Sequence, residues 1–545
     1  MSSPSSPLHR RDFLRAGAVA AAAAALDVSS GEAAPAEAER AFVQPAFELE
    51  ETTIAALQDG LNSGRYTSRS ITEQYLARID AIDKAGPGIN SVIERNPDAL
   101  RIADERDAAR KAARLRSPLH GIPVLIKDNI DTADRMRTSA GSLALAESIA
   151  PRDAFIAAKL RDAGAIILGK TNLSEWANFR STHSTSGWSG RGGQTKNPYV
   201  LDRNPCGSSS GTGASIAANL AVIGIGTETD GSIVCPSSAN GLVGIKPTLG
   251  LWSRSGIIPI SHSQDTAGPM ARTVTDAAIL LAALSGIDTR DAATGESRGK
   301  AATDYSSVLK PDALKGTRIG VARNFFGFSD AVDKVMNEAI AAMKSAGATI
   351  IDPANIVTAG KFDDAEGEVL NFEFKADVNA YLATLGPSAP HKTLADLIAF
   401  NEKNRDREMP YFGQEQFIRA QSKGPLTSPA YLAARAKCLR LSRTEGIDAT
   451  LAKYRLTAIV APTGGPAWPT DLINGDHFTG GSSSPSAVSG YPSVTVPAGF
   501  VHGLPVGLSF IGGRWSDGQL IGLAYAFEQA TKVRKPPRFL PTLRV

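Results

Sequence analysis

Three segments of the chain carry residue types that could perform nucleophilic hydrolysis. Lys127 ends the apolar run GIPVLIK, Ser208 opens a Gly/Ser-rich loop, and Ser232 closes a longer glycine-rich run. A serine hydroxyl is a weak nucleophile until a base removes its proton, and a lysine amine is one such base. Taken singly, each feature has an ordinary explanation, because lysines after strands usually reach the surface and Gly/Ser loops are usually turns.

Two other motifs fit the letters of catalytic signatures. Residues 164–171 read GAIILGKT, like a phosphate-binding P-loop, but the residues between the glycines are apolar and predict a buried strand instead of a flexible loop. Residues 207–211 read GSSSG, like the nucleophile elbow of esterases, with Ser209 as the nucleophile. That elbow needs a strand directly before the serine, and two prolines make the preceding segment a loop. A Ser209 esterase is therefore only the alternative.

The N-terminus has the features of an export signal. The pair Arg10-Arg11 precedes an Ala-rich apolar stretch from Ala16 to Leu26, as in a bacterial twin-arginine signal. The stretch is too short to cross a bilayer, which takes about 20 apolar residues. With a small-x-small cleavage site at residues 34–36, we predict a signal peptide over residues 1–36 rather than a disordered tail. The mature protein is expected to be periplasmic or secreted, with no stable membrane anchor.

The composition excludes several classes of protein. Of 545 residues, 42% are hydrophobic and 21% charged, which argues against wholesale disorder and against a multi-span membrane protein. A formal net charge of +3 gives no reason to expect nucleic acid as a partner. Three cysteines are too few for a disulfide scaffold.

The hydrophobic pattern predicts an α/β layered fold. Apolar residues at three-to-four spacing predict helices through residues 50–116, before a short buried strand that ends at Lys127. A helix over 154–163 then leads into another strand, so that helices and strands alternate. Strand patterns vanish from about 363 to 450, where charged helical residues dominate. The strands expected after this helical insertion lie at residues 457–460, 493–496 and 507–511. One sheet therefore uses strands from both sides of the insertion.

The three segments that contain Lys127, Ser208 and Ser232, taken in this order, resemble the amidase signature family. Its signature stretch runs here from about Leu119 to Asp276. Further agreement appears in GKTNLSEW at 169–176, GLVGIKPT at 241–248 and SGYPSVTVPAGF at 489–500. The match covers nearly all of the mature chain. Residues 187–198, 205–211 and 230–236 look most like bacterial peptide amidases, which hydrolyse the C-terminal carboxamides of peptides.

The resemblance implies the amidase signature fold, a large mixed twisted β-sheet covered by α-helices. We expect residues 37–545 to form a single domain. Its signature core spans 119–285, after the helical N-terminal part at 50–116, and residues 455–545 return to the sheet after the insertion.

The resemblance also implies a Ser–cis-Ser–Lys triad. The nucleophile falls on Ser232 and the base on Lys127, and the family's spacing between the two serines places the bridging serine at Ser208. The family's oxyanion hole maps onto four consecutive backbone amides, those of Thr229, Asp230, Gly231 and Ser232. Two auxiliary residues flank the bridging serine, namely Gly207, which precedes the expected cis peptide bond, and Ser209, an additional hydrogen-bonding partner.

These residue types suit amide hydrolysis. A lysine is a base only when neutral, and its ordinary pKa is about 10.4, so burial must depress the pKa of Lys127 by several units. Ser208 would relay the proton of Ser232 to Lys127 and later return it to the departing amine. No metal, nucleotide or other cofactor is required, and the seven histidines show no metal-ligand spacing. His120, His262 and His477 are the histidines expected nearest the site, although each is more often a loop or core residue.

The sequence departs from the common family pattern near the nucleophile. Glu228 stands where many members have aspartate, and Asp230 where many have a second glycine; peptide amidases share both features. Many relatives place an arginine two or three residues after the nucleophile, where this chain has Val234 and Cys235. Without a guanidinium to pair a carboxylate, we predict a preference for neutral amides over dicarboxylic half-amides.

Cys206 and Cys235 lie beside the two candidate serines. In an exported protein they could form a disulfide if the loops bring them together. Since free cysteines are often simply buried, two buried thiols are the favoured interpretation.

Several alternatives stay open at this level. The enzyme could act on other aryl, aliphatic or fatty amides or on esters, or the fold could serve a non-catalytic binding protein. An amidotransferase subunit that makes amidated tRNA is disfavoured by the export signal and by the absence of a basic patch. The helical insertion and the loops near Trp188 and Phe478 are expected to shape the pocket, and the oligomeric state is open.

Overall fold

A mixed sheet of 11 strands forms the centre of the molecule in the computed structural model, which describes Phe42 and residues 45–543. The strands are β1 Val92–Arg95, β2 Pro123–Lys127, β3 Ile166–Thr171, β4 Trp188–Ser189, β5 Gly193–Gln194, β6 Ile223–Glu228, β7 Val243–Lys246, β8 Thr266–Ala271, β9 Arg318–Val321, β10 Thr349–Ile351, β11 Ala458–Pro462, β12 Ser493–Val501 and β13 Leu504–Ile511. Their order in the sheet is β1-β3-β2-β6-β8-β7-β12-β13-β11-β9-β10, while β4 and β5 form a separate two-stranded sheet. This is the α/β fold that the hydrophobic pattern predicts, with the large mixed sheet that the family resemblance implies.

Helices cover the sheet. They are α1 Ile54–Asn62, α2 Ser68–Arg78, α3 Ala99–Lys111, α4 Phe155–Asp162, α5 Ser210–Ala217, α6 Val234–Ala239, α7 Val274–Leu284, α8 Asp330–Ser345, α9 Asp363–Thr384, α10 Leu394–Lys403, α11 Arg405–Glu408, α12 Glu415–Gln421, α13 Pro429–Leu439, α14 Asp448–Tyr454, α15 Ser484–Ser489 and α16 Asp517–Thr531. Two π-helical segments, at Ile79–Lys84 and Arg440–Ile447, continue α2 and α13. No helix among the described residues is both long and apolar enough to cross a membrane.

The parallel strands β2, β3 and β6 bring the candidate residues to one edge of the sheet. Each of these strands is buried along its whole length. The runs of Ile, Val and Leu in β2 and β3 predict this burial, whereas the glycine-rich β6 was not predicted as a strand. β2 pairs in parallel with β6, with Ile126 opposite Ile225, so both strands end at the same edge. Lys127 at the end of β2 therefore lies beside Thr227 near the end of β6.

The helical insertion packs against the signature core through aromatic side chains. Between residues 363 and 450 the structure contains helices and turns only, as the loss of strand patterning predicts. Phe374 of α9 and Phe417 of α12 pack together, and Trp176 meets Phe417 edge-on at 5.5 Å. The insertion is thus fixed to the loop that follows β3.

The N-terminal part differs from the expectation in one element. Its helices include α1, α2 and α3, but the strand β1 interrupts them and adds to the sheet edge antiparallel to β3. β1 has only four residues and two of them are Glu94 and Arg95, so it lacks the apolar pattern that would reveal a strand. The GAIILGKT segment is β3 itself and fully buried, which rules out a P-loop there.

Candidate active site

Lys127 is completely buried and its amine faces hydroxyl and carbonyl groups. Lys127 Nζ lies 2.7 Å from Ser208 Oγ, and donates to Thr227 Oγ1 at 2.9 Å and to the Thr227 carbonyl at 3.3 Å. Asn129 Nδ2 also donates to Thr227 Oγ1 at 3.0 Å. The amine is thereby held in one position, directed at the bridging serine.

Burial gives this lysine the lowered pKa that a base requires. Removal from water lowers the pKa of Lys127 to about 7, although the nearby carboxylates of Asp265 and Glu228 act in the opposite direction. Near neutral pH a substantial fraction of the amine is therefore uncharged and able to accept a proton.

The bridging serine lies in a tightly packed loop. The peptide bond between Gly207 and Ser208 is cis, as the family resemblance implies. A side chain at Gly207 would place its Cβ 2.2 Å from Ser174 Oγ, so only glycine fits this position. The Ser208 carbonyl accepts from the Ser174 amide at 3.1 Å, which fixes the loop to the segment after β3.

Ser209 lies between the bridging loop and β6 and is not the exposed nucleophile of an elbow. No strand precedes it, and its buried hydroxyl donates to the Thr227 carbonyl at 3.1 Å and accepts from the Thr227 amide at 3.2 Å. Its own amide donates to the Ser232 carbonyl at 3.2 Å. Ser209 thus joins the loop of Ser208 to that of Ser232.

The segment that carries Ser232 is a tight loop between β6 and α6. Glu228 closes it, because its Oε2 accepts from the amides of Ile233 at 2.7 Å and Val234 at 3.0 Å. Gly231 has φ of +79°, a conformation that favours glycine. The glutamate in place of the family's usual aspartate therefore has a defined role, as the cap of the helix that follows the nucleophile.

The four candidate oxyanion donors are available. Within the described part of the chain, no hydrogen bond uses the backbone amides of residues 229–232. Unpaired amides in a small-residue loop are the usual construction for stabilising a developing oxyanion.

Two cavities flank this loop. The first, the serine cavity, has a volume of about 280 Å³ and is lined by Gly207, Gly231, Val234, Trp468 and Phe478, among others. Its lining contains two carboxylates, of Asp230 and Asp476, and no lysine, arginine or histidine. The second, the arginine cavity, has a volume of about 300 Å³ and is lined by Thr227, Asp265, Arg254 and His262, among others. The arginine cavity therefore differs in having cationic side chains, although Glu228, Asp265, Asp291 and Asp377 also line it.

The cysteines beside the serines form a disulfide, so the favoured interpretation of two buried thiols was wrong. Cys206 and Cys235 have Cα atoms 6.0 Å apart, within the range of ordinary disulfides. The remaining cysteine, Cys438, is free and buried. The sequence could not settle this pairing because the two cysteines are 29 residues apart and meet only through the tertiary fold.

The insertion contributes residues that the motif search missed. Glu366 of α9 is buried against Asp230, and Gln264 Nε2 links Glu366 Oε1, at 2.8 Å, to the Thr229 carbonyl, at 3.3 Å. Burial and the neighbouring carboxylate of Asp230 raise the pKa of Glu366 well above its usual range. No local signal could have revealed this contact, because Glu366 lies in a different sequence segment.

The three singled-out histidines are not part of this site. His120 is buried and contacts the Arg106 carbonyl, and His477 is exposed beside the serine cavity. His262 lines the arginine cavity, with Nδ1 2.9 Å from Asp377 and Nε2 3.4 Å from Glu373. Among the described residues this is the one His/Cys/acid group compact enough for a metal ion. Burial lowers the pKa of His262, but the carboxylates of Asp377 and Glu373 outweigh it and raise the pKa.

Comparisons with known proteins show the family of the chain and its export signal. A model of the family described as Amidase matches residues 70–521, and a model of the twin-arginine translocation pathway signal sequence matches residues 7–26. The second match confirms the predicted export route; the proposed cleavage site lies outside the described residues.

Solved structures and curated sequences resemble the chain over nearly its whole length. The peptide amidase PAM in complex with the competitive inhibitor chymostatin superposes with a TM-score of 0.88 at 52% identity, covering 90% of this chain and 100% of that one. Native peptide amidase from Stenotrophomonas maltophilia gives a TM-score of 0.86 at 51% identity, covering 91% of this chain and 100% of that one. The "Probable amidase" of Arabidopsis thaliana is 42% identical over 509 residues, 91% of this chain and 93% of that protein.

Proposed function

The chain belongs to the amidase family of amide-cleaving hydrolases, and we propose that it converts a carboxamide to the acid and ammonia through an acyl-enzyme on Ser232. Lys127 is the base and Ser208 the bridging serine. The single observation that carries this proposal is the buried Lys127 amine held 2.7 Å from Ser208 Oγ.

The hydrogen bonds around Lys127 define its active form. A neutral amine has two N–H donors and one lone pair. The hydroxyl and carbonyl oxygens of Thr227 accept the two donors, so the lone pair is directed at Ser208 Oγ. Ser208 can then give its proton to Lys127 while taking one from Ser232.

The chemical steps follow from this relay. Ser232 Oγ attacks the amide carbonyl, and its proton passes through Ser208 to Lys127. The amides of residues 229–232 stabilise the oxyanion, each donor contributing about 3–4 kcal/mol. The proton returns through Ser208 to the leaving nitrogen, ammonia departs, and water hydrolyses the ester by the same relay in reverse.

We infer neutral substrates, such as the C-terminal amides of peptides. The serine cavity offers aromatic and small side chains for an acyl group and no cationic side chain for a carboxylate. Its two carboxylates would repel an acidic acyl group. The solved relatives that are named peptide amidases support the same substrate class.

The test is fluorophosphonate labelling followed by peptide mapping, with ammonia release from peptide amides measured in parallel. We expect the adduct on Ser232, and its loss in Lys127→Ala. Ser215→Ala is the matched control, because Ser215 is a buried serine whose hydroxyl bonds only within α5. An adduct on Ser209 would assign the protein to the esterase alternative, and no adduct on the folded protein would leave a binding role.

Substrate preference is tested with matched pairs. We expect a neutral amide to be cleaved at least about tenfold faster than its acidic isostere, a difference of about 1.4 kcal/mol in transition-state binding. Equal rates on the two would contradict the charge argument.

The export signal directs the chain out of the cytoplasm, and we propose a periplasmic or secreted site of action.

A further inference from the structure

The Cys206–Cys235 disulfide joins the two loops that carry the candidate serines. Cys206 precedes Ser208 by two residues, and Cys235 follows Ser232 by three, in the first turn of α6. Both cysteines line the serine cavity. The bond therefore lies in the wall of the cavity beside the two candidate serines.

The backbone at Cys206 needs to be held in place. Cys206 has φ of +56°, in the left-handed region that few residues other than glycine adopt. Its amide donates to Asn204 Oδ1 at 2.8 Å, and its carbonyl accepts from Ser210 Oγ at 2.6 Å. The disulfide fixes the side chain of this same residue, one peptide before the Gly207–Ser208 bond.

In the described part of the chain, two direct hydrogen bonds join these loops. The Ser209 amide donates to the Ser232 carbonyl, and Asn240 Nδ2 donates to the Pro205 carbonyl at 2.9 Å. The first contact lies at the catalytic side and the second at the far end of α6. The disulfide joins the two loops at the cavity wall, between these two hydrogen bonds.

We propose that Cys206 and Cys235 are positioning residues, whose disulfide holds Ser208 in register with Ser232 and makes the amidase activity depend on the redox state. The inference rests on the proposed function. Displacing reacting groups by about 1 Å can cost about 100-fold in rate. Loss of the bond should therefore lower kcat without weakening substrate binding equally.

The redox step is an ordinary thiol–disulfide exchange. A dithiol such as dithiothreitol attacks one sulfur and then closes to its own cyclic disulfide, leaving two protonated cysteines. The dithiol is oxidised by two electrons and the protein disulfide is reduced by two. An oxidised disulfide such as oxidised glutathione reverses the reaction.

The test compares the intact folded enzyme before and after reduction. After treatment with dithiothreitol, we expect the thiol count to rise from one to three and kcat on a peptide amide to fall at least about tenfold, while KM changes less than about threefold. The rate of fluorophosphonate labelling at Ser232 should fall in parallel, and oxidised glutathione should restore both. Labelling of Ser232 in the oxidised enzyme tests the proposed function separately.

Two variants provide the controls. The double variant Cys206→Ser/Cys235→Ser should show the low kcat of the reduced enzyme and no response to dithiothreitol. Cys438→Ser, which removes the free cysteine of α13, should respond to reduction like the wild type. If the double variant fails to fold, the reversible reduction of wild type remains decisive.

Three results would overturn the proposal. One is an unchanged kcat in enzyme shown to carry three thiols, even if its melting temperature falls, because the bond would then be structural only. Another is an increase in KM at constant kcat, which would make the disulfide only part of the cavity wall. The third is loss of activity accompanied by loss of the native circular dichroism, which would indicate unfolding.

Discussion

Lys127 and Lys170 lie on neighbouring parallel strands, both fully buried, yet only one of them faces the candidate site. In the register of β2 and β3, Lys127 pairs with Thr171, and Lys170 pairs with Ile126. Side chains alternate between the two faces of a sheet, so a shift of one residue sends the two lysines to opposite faces. Burial lowers the pKa of both.

Their partners explain the different roles. Lys170 donates to the Ile130 carbonyl at 2.6 Å and to Thr138 Oγ1 at 2.9 Å, in the field of Asp128 and Asp131. It thereby fixes the loop after β2. Lys127 meets the serine instead. Burial alone therefore does not make a lysine a catalytic base. The lysine must also face a group with which it can exchange a proton.

The largest expected effect is that of Lys127→Ala. Removing the base of a catalytic unit typically costs about 10⁴-fold or more in kcat. We expect a loss of this size in steady-state ammonia release, with near-native circular dichroism. A residual kcat above about 1% of wild type would exclude Lys127 as the base.

Lys170→Met should have the converse effect. It leaves the Ile130 carbonyl and Thr138 Oγ1 without their buried donor and removes a cation from the field of Asp128 and Asp131. Leaving buried polar groups unpaired costs about 1–3 kcal/mol each. Urea unfolding should show this loss of stability. The kcat of the protein that remains folded should stay within about threefold of wild type. If kcat in folded Lys170→Met fell as far as is expected for Lys127→Ala, the two lysines would not differ in role as described.

The pH profile should report the titration of Lys127. The base must be neutral, so activity rises with pH as the lysine loses its proton, with a midpoint near its pKa of about 7. Well below the midpoint, kcat/KM should rise about tenfold per pH unit, and above it the profile should level off. A profile already flat between pH 5 and 8 would argue against a lysine base.

Asp265→Asn should give the smallest change. The carboxylate of Asp265 favours the charged form of Lys127, so its removal should lower the pKa of Lys127 further. The midpoint of the pH profile should move to lower pH by less than about one unit, because burial affects the pKa of Lys127 more than Asp265 does. Asp265 accepts from Thr229 Oγ1 and two loop amides, and asparagine keeps its shape. A midpoint that moves to higher pH would contradict the assignment.

The sequence predicts the candidate triad residues better than it predicts the residues that hold them in place. Lys127, Ser208 and Ser232 stand in segments with recognisable motifs, and the buried strand that ends at Lys127 follows from its apolar run. Their supporting residues do not: Glu366 comes from the insertion, and the disulfide depends on how two loops meet. The strand β1 was missed because a short charged edge strand has no hydrophobic period.

The position of β12 and β13 in the sheet has a consequence for the biosynthesis of the protein. These strands are the last to be synthesised, yet they lie between β7 and β11 in the middle of the sheet. Until the ribosome has released residues 493–511, the strands made earlier form two separate groups that cannot join. The export signal, by contrast, emerges first. A nascent chain thus presents its export signal before its central sheet can be completed. Because the twin-arginine route transports folded proteins, export by that route follows the synthesis of residues 493–511.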